Sequence, residues 1–159
     1  MSNSSGRKPV AVIGIGNYLR GDDGTGIHAV ERLRARGADA RADVIDGATA
    51  GPSLAFYIED RAKVIFIDAG DYGGAPGAFV RFTPADVRTA KAPDRFSLHG
   101  FDLLAFLAAP PAGITLPPEI GIYCIQVATV APTPDLGTEV EKGLESLVDA
   151  VLDELGAEA

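Results

Sequence analysis

The chain contains one cysteine, Cys124, in 159 residues. That excludes an internal disulfide framework and any multi-cysteine zinc site. No stretch approaches the ~20 apolar residues of a membrane span. The first nine residues are polar and lack the hydrophobic core of a signal peptide. Cations are scarce: 14 Lys and Arg stand against 22 Asp and Glu, a net charge of −8. Nucleic-acid binding needs a basic face, so no nucleic acid and no membrane are expected as partners. Three familiar motifs are missing as well. There is no Gly-Lys-Ser/Thr of a P-loop, no His-Glu-x-x-His and no Gly-x-Ser-x-Gly. No Cys/His pair lies near a strand end, which argues against cysteine catalysis. What remains is a chain that is 47% hydrophobic, enough for one domain with a core. The reading is a flexible tail over 1–9 and a single domain over 10–159, in a cytoplasmic protein.

The stretch with most information is Val10–Gly26. A continuous apolar run, Val10–Ile15, reads as a strand buried on both faces, followed by a glycine-punctuated loop and a helix to about Arg36. Gly14-Ile15-Gly16 begins like a dinucleotide fingerprint, but Leu19 stands where the third glycine is required. Asp22 and Asp23 would also repel a phosphate. An adjacent carboxylate pair at a helix entrance suits a cation, or simply caps the helix.

Further along, Ala42–Ile45 reads as a second strand delivering Asp46 at its carboxyl end, before the small residues of Gly47–Gly51. Asp46 either faces a ligand or receives backbone N–H groups of its own turn. A helix is expected over Pro52–Asp60. Lys63–Gly70 is the most apolar strand and ends in Asp68, where a charge costs energy unless paired, hydrogen-bonded or metal-bound. Residues Gly77–Thr83 alternate as an antiparallel edge strand, and a short helical turn and mobile loop follow from Pro84. His99 stands near the start of a helix over Phe101–Ala108, where the dipole favours a neutral ring. His28 has no partner at metal-sharing spacing and reads as a surface or packing residue. Ile120–Val127 is the last strand, and a 3.6-period stripe from Val140 to Leu155 marks the closing helix.

The expected fold is α/β: a single-domain three-layer αβα sandwich around a mainly parallel five-stranded sheet with one antiparallel edge strand. Strand ends in such sheets carry the sites. Acidic groups at the ends of the first three strands and His99 would converge on one crevice, a plausible set for a divalent transition metal.

Gly14-Ile15-Gly16-Asn17-Tyr18-Leu19-Arg20-Gly21-Asp22-Asp23-Gly24-Thr25-Gly26 resembles the signature of the hydrogenase maturation endopeptidases. The similarity continues through Asp46–Gly51, Ile67-Asp68-Ala69 and Ser97-Leu98-His99, in order, over about Val10 to Leu155. These enzymes trim the C-terminal tail from the large subunit of nickel–iron hydrogenases. The resemblance implies that Asp23, Asp68 and His99 are the catalytic and metal-binding positions. It implies that Asn17, Asp22, Asp46, Thr49 and Gly51 shape the substrate cleft, with the Pro84–Ser97 segment engaging the substrate. Many members carry glutamate where this chain has Asp23, which keeps the charge but withdraws the oxygen by about one methylene. The nickel is expected to arrive in the large-subunit precursor rather than rest in the protease. Two other classes use the same cleft: a non-catalytic nickel-binding or metallochaperone module, and a hydrolase of small peptides or amides.

Overall fold

Strand-forming runs decide the centre of the molecule. In the computed structural model, which describes residues 6–19, 21–48, 53–88, 103–128 and 135–157, Val10–Ile15 forms β1 and Lys63–Gly70 forms β3. Every residue of both is buried, as their unbroken apolar composition requires. Asp43–Ala48 is β2, Phe79–Phe82 is β4 and Glu119–Gln126 is β5. The sheet order is β2-β1-β3-β5-β4. All pairs are parallel except β4 with β5, so the alternating segment is the antiparallel edge strand expected.

Helices cover both faces. Thr25–Ala35 (α1) and Thr138–Ala157 (α5) pack on one side, where Val30, Leu33, Leu144 and Val148 meet Val12, Ile65 and Ile67. Leu54–Ile58 (α2) and Leu103–Ala108 (α4) cover the other, where Leu54, Phe106 and Leu107 meet Ile13, Phe66 and Cys124. A short helix over Pro84–Arg88 (α3) follows β4. The three-layer sandwich is therefore present. α1 ends where Gly37 takes a left-handed φ of 83°, and its N–H bonds the Arg34 carbonyl. None of the helices in the described residues is long and apolar enough to cross a membrane.

Several boundaries differ from the sequence reading; β4 is confined to Phe79–Phe82 within the expected Gly77–Thr83, and β5 is shifted by one residue. β2 begins at Asp43 and runs to Ala48, because its ladder with β1 continues past the last apolar residue to pair Ile15 with Ala48. α2 is shorter than Pro52–Asp60: Glu59 leaves helical ψ at 140° and Asp60 turns to φ 60°. The expected tail is also fastened at its inner end. Lys8 N–H donates to Asp43 Oδ2 at 3.0 Å, and the buried Arg61 guanidinium binds both Asp43 and the Lys8 carbonyl. Burial works to raise the Asp43 carboxyl, but the Arg61 and Lys8 hydrogen bonds prevail and hold it below the usual carboxylate range. Residues 1–5 lie outside the described residues.

At the amino edge of the sheet, Glu154 gathers three donors: Lys63 Nζ at 3.0 Å, Arg81 Nε at 2.7 Å and the Tyr123 hydroxyl at 2.6 Å. Burial pushes this carboxyl up, but the hydrogen bonds from Arg81, Tyr123 and Lys63 bring it down to about 2. A depressed folded-state pKa means stability that is present above the unfolded value near 4.5 and lost as pH falls toward about 2. Glu154→Gln is expected to cost roughly 1–3 kcal/mol at pH 7. The wild-type advantage, followed by urea midpoints, should shrink steadily below pH 4.5.

Candidate active site

The β1–α1 connection is built by close approach. A Cβ on Gly14 would stand 2.1 Å from the Gly26 carbonyl oxygen, and one on Gly26 would stand 2.2 Å from the Ile15 oxygen. These glycines let the first turn of α1 lie directly on the carboxyl ends of β1 and β3. Between them, Gly21–Gly24 forms a 3-10 turn whose four residues are all buried. The turn packs on β3. The chain leaves β1 to one side for β2 and returns on the other side as β3, so this turn sits at the topological switch point of the sheet.

Its two aspartates take different roles. Asp22 is fully buried, and its carboxylate accepts Ala128 N–H and Gly137 N–H, both at 2.8 Å. Gly137 is the residue whose carbonyl receives the Glu141 N–H at the start of α5. Asp22 thus ties the turn to the entrance of α5, where a negative charge meets the positive end of the helix. It is a tie between distant segments. The helix that follows, α1, has Gly24 at its N-cap and no side-chain cap. Asp22→Ala should cost about 2 kcal/mol by leaving two N–H groups short of their acceptor, read as a lower urea midpoint.

Asp23 is buried near enough to Asp68 to act on it electrostatically. It is 1% exposed, with Oδ1 sealed from solvent, and Asp68 is 5% exposed. Asp68 Oδ1 accepts the Ala69 N–H at 2.8 Å. Burial pushes the Asp68 carboxyl well above its ordinary range, against that hydrogen bond, and the like charge of Asp23 pushes it further. Two carboxylates in this relation favour sharing a proton or receiving a cation. Asp68 pairs in register with Cys124, whose thiol is pushed up by burial and by Asp68. Cys124 is a buried core residue, as its strand position suggested.

The remaining candidates are not all brought to this pair. Asp46 lies inside β2, exposed, with Oδ1 accepting its own strand's Ala48 N–H at 2.9 Å. Alternation along β2 places it with Val44 on the α1 face, whereas Asp68 shares the opposite face with Phe66. Asp23 and Asp68 are both buried, whereas Asp46 is exposed. Asn17 is in the loop: its N–H donates to the Asp23 carbonyl at 3.2 Å and its Oδ1 accepts the Leu19 N–H at 3.1 Å. Thr49, Gly51 and His99 lie outside the described residues, as does most of the Pro84–Ser97 segment. Among the described residues no group of three His, Cys, Asp or Glu side chains is arranged to hold a metal. Asp23 and Asp68 supply two oxygen-bearing groups.

Gln126, at the carboxyl end of β5, escaped the sequence reading. Its Oε1 accepts the Tyr72 and Gly74 N–H groups at 2.9 and 3.1 Å, and its Nε2 donates to Asp71 Oδ1 at 3.1 Å. It clamps the turn that follows Asp68. A polar residue ending an otherwise apolar strand was the available signal.

Residues 27–154 match the sequence model of a family described as hydrogenase maturation protease. The chain belongs to that family. The matched span takes in Asp68 and begins after Asp23. A putative hydrogenase maturation protease of Methanocaldococcus jannaschii is 30% identical, covering 94% of this chain and 97% of its own. The hydrogenase expression/formation protein HupD of Rhodobacter capsulatus is 37% identical over 91 residues, 57% of this chain and 43% of HupD. The chain spans about half the length of the curated HupD relatives it matches. Among solved structures, the hydrogenase maturating endopeptidase HybD of E. coli superposes with a TM-score of 0.78 at 25% identity, covering 94% of this chain and 93% of its own. The maturation-protease fold is thus shared.

Proposed function

We propose that this hydrogenase maturation protease is a cytoplasmic endopeptidase that removes the C-terminal extension of a nickel–iron hydrogenase large-subunit precursor after nickel insertion. The observation that carries this reading is the burial of Asp23 and Asp68 together at the β1/β3 switch point, with Asp68 holding its proton above the ordinary range. Peptide hydrolysis needs a carbonyl made electrophilic and a water made nucleophilic. In this reading the nickel belongs to the substrate and polarises the scissile carbonyl as a Lewis acid. Asp23, Asp68 and His99 approach that nickel and align the bond. A carboxylate with a raised pKa is the better base near neutral pH, so Asp68 takes the proton of the attacking water and returns it to the departing amine. Asn17 holds the loop that carries Asp23.

The test is a processing assay read by intact mass, using purified protein and large-subunit precursor with and without nickel. Loss of a defined C-terminal peptide from the nickel-loaded form alone is the expected result. Equal cleavage of the metal-free form would keep the protease and remove nickel reading. Tight nickel binding with no cleavage would favour a metallochaperone instead.

A further inference from the structure

The described residues leave three large apolar side chains exposed: Tyr18 at 39%, Leu19 at 66% and Phe56 at 64%. Phe56 has a local partner, since the Arg7 guanidinium lies 4.4 Å from its ring centre. Tyr18 and Leu19 are set apart by their position. They are neighbours in sequence, on the loop that leaves β1 for the Asp23 turn. That loop is bound to the site through its backbone. Asn17 N–H donates to the Asp23 carbonyl, Asn17 Oδ1 receives Leu19 N–H, and Tyr18 Cα lies 2.9 Å from where a Gly24 Cβ would stand. The Tyr18 ring stacks on His28, with centroids 4.8 Å apart and planes at 27°.

We propose that Tyr18 and Leu19 form a docking lip for an extended apolar stretch of the large-subunit precursor as it enters the Asp23–Asp68 site, which rests on the processing reading above. The chemistry of the occupant follows from the surface. The lip offers apolar area and no charge of its own, and the chain's net charge of −8 disfavours an acidic segment. An extended segment is required for a peptide carbonyl to reach a pair of buried carboxylates. The lip is tied to the Asp23 turn by the backbone hydrogen bond from Asn17, so a segment lying on it is held close to Asp23 along the chain. Little ordering is left to be done on binding.

The experiment measures binding of purified large-subunit precursor to the wild type, Leu19→Ser and Phe56→Ser, with processing kinetics in parallel. Leu19 is solvent-exposed, so its variant should melt with the wild type. Leu19→Ser is expected to weaken precursor binding roughly tenfold, with the loss carried in KM rather than kcat. Phe56→Ser should bind as the wild type does. Unchanged binding by Leu19→Ser, or equal loss in Phe56→Ser, overturns the lip. A wild type that binds but never cleaves, with weaker binding in Leu19→Ser, keeps the lip and removes the protease reading. A wild type that binds no large-subunit precursor removes both.

Discussion

Asp68→Asn is expected to yield a protein that melts higher than the wild type at pH 7 and no longer trims precursor. The buried Asp68 carboxyl has a folded-state pKa above its unfolded value, from burial first and from Asp23 as well. The folded protein therefore binds this proton more tightly than the unfolded chain does. Its stability falls as pH rises from the unfolded value near 3.8 through the raised folded value. Asparagine has the same shape, keeps an oxygen for the Ala69 N–H, offers its amide to Asp23, and carries no charge to desolvate. Each kcal/mol recovered is worth about 2–4 °C in a domain of this size. A rise of about 3 °C or more at pH 7, vanishing near pH 4, is the expected pattern in melting curves across that range. Activity should fall roughly 100-fold or more, because the amide cannot take a proton from water. A variant that melts with the wild type at every pH would show that Asp68 carries no burial cost. One that trims at the wild-type rate would remove Asp68 from the mechanism.

Gly26→Ala should fail outright. The added methyl group would lie 2.2 Å from the Ile15 carbonyl oxygen and 2.6 Å from that of Ile67. Both are backbone atoms of buried strands, which have no rotamer to adopt. Relief requires α1 to lift from the sheet, breaking its contacts through Ile27 and Val30 and displacing the turn that carries Asp23. Overpacking of this kind costs about 3 kcal/mol or more, a large share of a domain's stability. Low soluble yield is the expected outcome, or a urea midpoint far below the wild type. Gly37→Ala serves as the contrast. Its φ of 83° is strained for alanine, but a Cβ there meets open space, so a loss of about 1 kcal/mol is expected.

Asp23 and Asp68 show how far a sequence can point to a candidate site. Asp68 lies near the carboxyl end of a strand buried along its whole length, and Asp23 lies in the turn that follows another, at the edge where α/β sheets hold their sites. Asp46 shows the limit. Its segment is short, and it lies inside β2 rather than at its end because β2 extends two residues past it along β1. That length is set by the partner strand, which local composition does not report. Gln126 was only half legible: a polar residue ending an apolar strand marks it, but nothing local says that it will hold the turn after Asp68.

Sequence alone determined the layers, the buried parallel strands, the antiparallel edge and the family, because each rests on local periodicity or on a contiguous motif. Only the tertiary structure decided the fate of the two adjacent aspartates. Asp22 and Asp23 are chemically identical neighbours. One accepts N–H groups of Ala128 and of Gly137, the latter 115 residues away, and the other is buried close enough to act electrostatically on Asp68. Successive side chains on a tight 3-10 turn diverge, and what each one meets depends on segments far along the chain. The physical difference between a structural tie and a reactive carboxylate is which distant donors arrive beside it.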